Sequence, residues 1–313
     1  MLSNQIAISN IKMKTYQQFW LSLTPLYDAG EAQAIVRTVL DVEYGMTLTD
    51  IICGKVNELS SDEERNLEEI ITRLQNGEPV QYVLGEADFA GRTFHVEPGV
   101  LIPRPETAEL CQWIEEEISS LDADDPKQIL DICTGSGCIA ITLGLTIPNS
   151  EVTGWDISED ALRIAQGNVE MLKARNVRIE YQDALMLPKA AEAEEAAEIS
   201  EATKSESSLS KGWNIIVSNP PYICEKEKAD MEKNVLEHEP SIALFVPDKE
   251  PLKFYRAIAE YASSALKSEG ALYFEINPIY EKETREMLQD LGFKDIETKE
   301  DAYGKKRMMK AMK

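Results

Sequence analysis

The chain has 313 residues, with 32 Lys and Arg against 56 Asp and Glu, for a formal charge of −24. That length favours about two domains with a sizeable core, and so negative a surface repels phosphate backbones, which argues against direct nucleic-acid binding through Lys/Arg neutralisation. No run approaches the roughly 18 apolar residues of a membrane span, and the amino terminus lacks a signal peptide's basic start, apolar core and small-residue cleavage site, so a cytoplasmic protein without membrane contact is expected.

Residues 12–77 read as helices. Asp28-Ala29-Gly30-Glu31 resembles a capping box ahead of Ala32, Ile35, Val36, Val39 and Leu40, which recur at helical spacing. Ser61-Asp62-Glu63-Glu64 starts another helix with Leu67, Ile70, Ile71 and Leu74, closed by Gly77. Residues 1–78 are thus expected to form a small helical bundle. Residues 79–98 alternate like a hairpin that links it to a second domain, 99–313, and His95 within that hairpin reads as structural. Pro105 suits the first position of a helix running to Leu121. Arg104, just before it, either neutralises a carboxylate near a ligand or pairs with Glu106.

The stretch from Gln128 to Ile141 places a short buried strand, a turn Cys133-Thr134-Gly135-Ser136-Gly137 and a helix in succession. Small residues there let the backbone approach a nucleotide-like ligand, although Gly-x-Gly alone also suits a plain tight connection. Glu151 to Asp156 reads as the next strand. Its terminal carboxylate stands about 20 residues past the glycines, where ribose hydroxyls are gripped; capping the helix from Ser158 to Lys173 is the alternative for Asp156, and Ser158 can do that instead. Val177 to Tyr181 reads as a third strand, with Asp183 and Ala184 past its end. In an open parallel sheet, ligands bind beyond the carboxyl ends of the strands. Asp131, Gly135, Gly137, Asp156, Asp183 and Asn219 all fall at such ends, the pattern expected of an S-adenosylmethionine site, with Cys133, Thr134, Ser136 and Ala184 as further cofactor contacts.

Residues 188–212 are rich in Glu, Ala and Ser and sustain no apolar period, so a mobile insertion or a short surface helix is expected there. The apolar run Trp213 to Ser218 then delivers Asn219-Pro220-Pro221-Tyr222. Pro-Pro is an ordinary way to end a strand, but an amide, two rigid residues and an aromatic ring also make a device for gripping a planar NH2 group. Such a nitrogen is a weak nucleophile, because its lone pair is delocalised. An enzyme that alkylates it must hold both hydrogens: the Asn219 side-chain oxygen and the Pro220 carbonyl would each accept one, with Tyr222 against the amide plane and Pro221 keeping the loop rigid. DNA adenine methyltransferases carry the same box and flip a base to reach its exocyclic amine, a reading the net charge opposes. Lys305-Lys306-Arg307 is the best basic patch, and it more simply flanks an edge strand. Helices from Leu252 to Leu266 and Tyr280 to Leu291 alternate with strands at Gly270 to Ile276, Phe293 to Thr298 and Arg307 to Met312. Cys53, Cys111, Cys133, Cys138 and Cys224 form no Cys-x-x-Cys pair, and His95 and His238 are the only histidines, so neither a disulfide framework, a metal site nor a hydrolase triad is expected.

With these motifs in place, the chain resembles class I S-adenosylmethionine-dependent methyltransferases, and specifically the peptide chain release factor (glutamine-N5) methyltransferase family. The resemblance spans Pro79 to Lys313. It includes Pro79-Val80-Gln81-Tyr82-Val83-Leu84-Gly85, Phe89 to Val96, Glu239-Pro240, Ala243-Leu244 and Glu275-Ile276. Its most specific element is Leu101-Ile102-Pro103-Arg104-Pro105-Glu106-Thr107. It implies a seven-stranded, mostly parallel Rossmann-like sheet whose last strand is antiparallel, and a helical amino-terminal domain that helps dock a protein substrate. It further implies that the substrate is the glutamine of the Gly-Gly-Gln loop in class I release factors, with a ribosomal-protein glutamine as the sister alternative and a noncatalytic scaffold as a third. Three positions depart from the family pattern: Cys133 and Asn277 stand where glycine is usual, and Pro251 where an Asp-Gly-Leu segment normally leads into the next helix.

Overall fold

The computed structural model describes residues 15–118, 126–188 and 212–313. The expected insertion, apart from its two end residues, lies outside them, as do residues 12–14 and the expected end of the helix at Leu121. The chain divides into two compact units, Met1–Leu84 and Gly85–Lys313.

The first unit contains helices α1 (Tyr16–Leu21), α2 (Ala29–Tyr44), α3 (Leu48–Ile52), α4 (Ser61–Gln75) and α5 (Val80–Leu84) around Phe19, Val36, Leu40, Leu67, Ile71 and Leu74. Asp28 caps α2 by accepting from the Gly30 and Glu31 amides at 2.8 and 2.9 Å. The cap of α4 is Ser60 rather than Ser61: Glu63 accepts from the Ser60 amide at 2.7 Å while Ser60 Oγ accepts from the Glu63 amide, which fixes the helix start one residue earlier. Residues 80–84 also differ from the expected hairpin. Val80–Leu84 is a helical turn, because the Val83 amide bonds the Pro79 carbonyl at 3.0 Å and the Arg73 guanidinium takes the Tyr82 and Val83 carbonyls. An apolar run that short carries no decisive period. Gly85, at φ 75°, ends it.

The hairpin proper, β1 (Glu86–Phe89) with β2 (Arg92–His95), belongs to the second unit. Ala90 and Gly91 both take positive φ, as a two-residue hairpin turn requires. Next come α6 (Pro105–Ile118), β3 (Lys127–Ile132), α7 (Cys138–Thr146), β4 (Ser150–Asp156), α8 (Glu159–Met171), β5 (Val177–Tyr181), β6 (Trp213–Ser218), the short pair β7 (Ile223–Cys224) and β8 (Phe245–Val246), β9 (Leu266–Glu275), β10 (Lys294–Glu300) and β11 (Lys306–Met312).

Seven of these strands make one sheet in the order β10-β11-β9-β6-β3-β4-β5. All neighbours from β9 to β5 are parallel, and β11 runs antiparallel to both β9 and β10. Alternate residues of the central strands serve opposite faces: Ile215, Val217 and Tyr273 join Leu110, Ile114 and Ile141 from α6 and α7, whereas Ile216, Leu272 and Phe274 meet Tyr255, Ile258 and Leu288 from the helices Lys253–Ala265 and Glu281–Asp290. Burial on both faces explains why these strands read as continuous apolar runs. Lys306 and Arg307 do not flank an edge, since β11 lies between β10 and β9. No helix among the described residues is long and apolar enough to cross a membrane.

Candidate active site

The carboxyl ends of β3, β4, β5, β6 and β9 deliver the polar residues that surround two adjoining cavities of the second unit. The first, of about 240 Å³, is lined by Cys133, Thr134, Gly135 and Ser136 after β3, by Asp156 at the end of β4, and by Asp183 and Ala184 past β5. Asn219 and Pro221 complete it from β6. The second, of about 250 Å³, is lined by Asn219, Tyr222, Glu275, Arg104 and the apolar Leu101, Ile223, Met231, Val235 and Leu244. Asn219, Leu101, Arg104 and Ala243 face both.

The loop after β3 needs left-handed backbone at Cys133, Gly135 and Gly137, with φ of 63°, 56° and 80°. Cys133 therefore holds a glycine's conformation with a side chain attached, at a cost of about 1–2 kcal/mol. Its side chain packs against the sheet face that carries Leu130 and Ile132, and burial pushes its thiol well up, so it is an unreactive wall. A Cβ on Gly135 would meet nothing within 4 Å, whereas one on Gly137 would press on Ile141 and Ala165 at 3.1 and 3.2 Å. Gly137 thus serves helix packing and, contrary to expectation, does not line the cavity.

Asp131 is likewise a brace rather than a wall. It is fully buried, and its Oδ2 accepts from Thr134 Oγ1 at 2.5 Å and the Ala140 amide at 3.1 Å, tying the loop to the start of α7. Burial, the largest effect, pushes its carboxyl up to about 7 against those two donors, and the neighbouring Asp156 adds to the rise. Asp156 itself stays on the cavity wall. Its two oxygens accept from the Gly135 and Ser158 amides at 2.9 Å each, and Ser158, not Asp156, caps α8. Desolvation raises its pKa. Asp183 accepts from the Leu185 amide at 2.8 Å.

Around Asn219 the bonds converge on one buried carboxylate. Asn219 Nδ2 donates to Glu275 Oε2 at 3.0 Å and to Thr107 Oγ1 at 3.2 Å; Thr107 donates to the same Oε2 at 2.6 Å, and Tyr222 OH donates to Oε1 at 3.0 Å. Arg307 approaches the Tyr222 hydroxyl at 3.4 Å and is itself held by buried Asp301 at 2.8 Å. Burial raises the Glu275 pKa; Thr107, Tyr222 and Arg307 oppose it, and Glu106 adds to it. The Tyr222 hydroxyl is pushed up, chiefly by burial and then by Glu275, so it stays protonated. Pro220 is buried and lines neither cavity.

Two further clamps hold the walls. Arg104 pairs with Glu239, not with Glu106, and Glu239 also accepts from the Ile102 amide at 3.2 Å, joining the Leu101–Thr107 stretch to the Glu239-Pro240 turn. Asn277 donates to the Tyr222 carbonyl at 3.2 Å and to Glu227 at 3.1 Å, and accepts from the Ile279 amide at 3.1 Å. Glu227 in turn accepts from the Cys224 amide at 2.8 Å.

Sequence reasoning alone missed Thr107, Glu275, Asn277 and Arg307 as parts of this site, along with the cavity residues Gly99, Val100, Gln182, Leu185, Ile242 and Phe254. The usable signals are a carboxylate ending the apolar strand β9, in the same place as Asp156 on β4, and the Pro98-Gly99 pair, a turn signal just ahead of Leu101.

Known proteins carry the same organisation. Residues 123–275 match a model described as methyltransferase domain, and residues 26–85 one described as PrmC N-terminal domain. A release factor glutamine methyltransferase of Bacteroides thetaiotaomicron is 44% identical, over 93% of this chain and 96% of that protein. Those of Flavobacterium psychrophilum and Streptococcus pneumoniae are 38% and 35% identical, each over 95% of this chain and 98% of the relative. With relatives 35–44% identical over more than nine-tenths of both chains, and with both family models matched, this chain belongs to the release factor glutamine methyltransferase family.

Proposed function

We propose that this chain methylates the side-chain amide nitrogen of the glutamine in the Gly-Gly-Gln motif of class I peptide chain release factors, in the cytoplasm, with S-adenosylmethionine as donor and the helical unit helping to dock the protein substrate. The observation that carries the reading is Asn219, which faces both cavities and has its NH2 group committed to Glu275 and Thr107.

The first cavity suits the donor. Its Ser136 Oγ is buried without a partner among the described residues, Gly135 leaves open space where a Cβ would stand, and carboxylates at Asp156 and Asp183 suit ribose hydroxyls and an exocyclic amine. Cys133, Thr134 and Ala184 complete the contacts. Bound there, S-adenosylmethionine supplies an electrophilic methyl group on a sulfonium. The second cavity, with Leu101, Met231, Val235 and Leu244 on its walls, suits the unbranched aliphatic arm of a glutamine.

In this reading Oδ1 of Asn219, a residue that lines both cavities, accepts one hydrogen of the substrate amide, which aims the nitrogen and favours localisation of its lone pair as the bond forms. Tyr222 packs against the amide plane, and Pro221 keeps the loop rigid. The alkylated nitrogen is acidic and releases its proton to water, so no strong base is needed beforehand.

The test is incubation with labelled S-adenosylmethionine and purified release factor, ribosomal proteins and DNA, with the label mapped by mass spectrometry. Label on the release-factor glutamine supports the reading; label on DNA adenine, or on no glutamine, sinks it.

A further inference from the structure

A primary amide can be placed in two orientations of nearly identical shape, and only its neighbours decide which is adopted. For Asn219 the choice matters, because an NH2 group turned toward the substrate's NH2 would set donor against donor and leave the site without its acceptor.

We propose that Glu275, as a carboxylate, is a positioning residue for methyl transfer: it holds the Asn219 NH2 group and thereby commits Oδ1 to the substrate amide. The assignment rests on the direction of every bond in the cluster. Arg307 has no acceptor to offer and donates to the Tyr222 oxygen at 3.4 Å, so the Tyr222 hydroxyl hydrogen is turned to Glu275 Oε1 at 3.0 Å. Thr107 spends its hydrogen on Oε2 at 2.6 Å, which leaves its lone pairs toward Asn219 Nδ2 at 3.2 Å. Both groups that face the Asn219 amide from this side are therefore acceptors, at 3.0 and 3.2 Å. Protonating Glu275 makes one of its oxygens a donor and removes the reason for that orientation.

Burial raises the Glu275 pKa, so this loss sets in above the ordinary range of a glutamate. The charged and titratable groups around it are Arg307 from β11, Glu106 and Cys111 from α6, Cys138 from α7, Tyr222 from the Asn219 loop and Tyr255 from the helix Lys253–Ala265. Among them Arg307 alone favours the carboxylate by its charge, and Asp301 holds it in place.

The inference rests on the proposed glutamine methylation, and the experiment separates the two. Glu275→Gln keeps the shape but can present an NH2 to Asn219 and turn the amide over. Measured with release factor as substrate, kcat is expected to fall by about tenfold to a hundredfold, less than the roughly 10²–10³ of deleting the contact itself because Asn219 is still present, with the affinity for S-adenosylmethionine within about twofold of the parent. The parent's kcat should fall on acidification partly through the ionisation of Glu275, beside those of Asp131 and Asp156, and the variant should lack the Glu275 contribution. Asn219→Asp sets two carboxylates against each other and should be slower still. The double variant Asn219→Asp, Glu275→Gln restores a donor facing an acceptor and should recover about tenfold over Asn219→Asp. A Glu275→Gln enzyme as fast as the parent, one whose acid limb is superimposable on the parent's, or a double variant no faster than Asn219→Asp overturns the role of Glu275. Absence of label on release-factor glutamine in the parent overturns instead the reading beneath it.

Discussion

Asn277 stands where the family usually has glycine, yet its backbone does not call for one: φ is −68°, open to any residue. What the position supplies here is a buried amide, 3% exposed, that bonds the Tyr222 carbonyl, Glu227 and the Ile279 amide. Asn277→Gly removes all three. A neutral hydrogen bond contributes about 0.5–1.5 kcal/mol and one to a charged group about 1.5–3, while glycine at an ordinary backbone position costs about 0.5–1 more. Bonds that share one side chain do not add, so a loss of about 3 kcal/mol is expected. In a unit of this size that lowers Tm by about 6–12 °C. Urea denaturation followed by tryptophan fluorescence measures it, since Trp113, Trp155 and Trp213 are all buried in the second unit. Turnover should fall with unchanged affinity for S-adenosylmethionine, because Asn277 touches the Asn219 loop and not the first cavity. A loss under about 1 kcal/mol with kcat unchanged would refute the claim that this amide anchors the loop.

Asn219→Ala should bind S-adenosylmethionine normally in calorimetry and lose about 10²–10³ in kcat, the usual effect of deleting one preorganised contact; an undiminished rate removes its role. Arg104→Met leaves the Glu239 carboxylate, whose side chain is 1% exposed, with the Ile102 amide as its remaining donor, and should cost about 3–5 kcal/mol by denaturation. Asp131 gives a pH dependence. Its carboxyl is raised to about 7 in the fold, so the folded state holds its proton more tightly than the unfolded chain does. That contribution is fully present below pH ~4 and is lost as pH rises toward 7, at most about 4 kcal/mol in all. Asp131→Asn should flatten this fall, as urea titrations at pH 5 and pH 8 will show, and an unchanged pH slope would refute it. Gly99→Ala forces a Cβ to 3.0 Å from Asp160 Cβ at a φ of 125°, and should weaken cofactor binding and stability together.

The sheet was legible because its strands are buried on both faces and so read as apolar runs, each ending in a polar residue such as Asp156 or Asn219. β9 was drawn too short at its start, since Leu266 to Glu269 mixes charge into a strand whose register with β6 is broken at Trp213. Val80 to Leu84 was misread because five residues do not separate a period of two from one of 3.6, and the Arg73 contacts that end the helix come from another element. The run Lys305-Lys306-Arg307 points to the flank of an edge strand, because nothing in it shows which of the three turns inward. Thr107 and Glu275 lie 168 positions apart and share a 2.6 Å hydrogen bond. Local pattern places each on its element and is silent on their meeting.

The same limit explains the construction of the Asn219 loop. Pro220 and Pro221 fix φ but remove two successive backbone donors, so the loop cannot be held by a ladder of its own amides. The residues on either side are held by side chains from elsewhere: Asn219 by Glu275 and Thr107, the Tyr222 hydroxyl by Glu275 with Arg307 behind it, the Tyr222 carbonyl by Asn277, and the Cys224 amide by Glu227. Burying a carboxylate at the end of a sheet is costly unless its hydrogen bonds are made, and here Thr107, Asn219 and Tyr222 all donate to Glu275. Rigidity obtained this way comes with direction. A backbone ladder would hold the loop in place but leave the Asn219 amide free to turn over, whereas an acceptor-only partner holds it in the one orientation that can receive a substrate N–H. The prolines and the buried Glu275 are therefore parts of one arrangement, in which the first remove the backbone's hold on the loop and the second supplies a hold that has a direction.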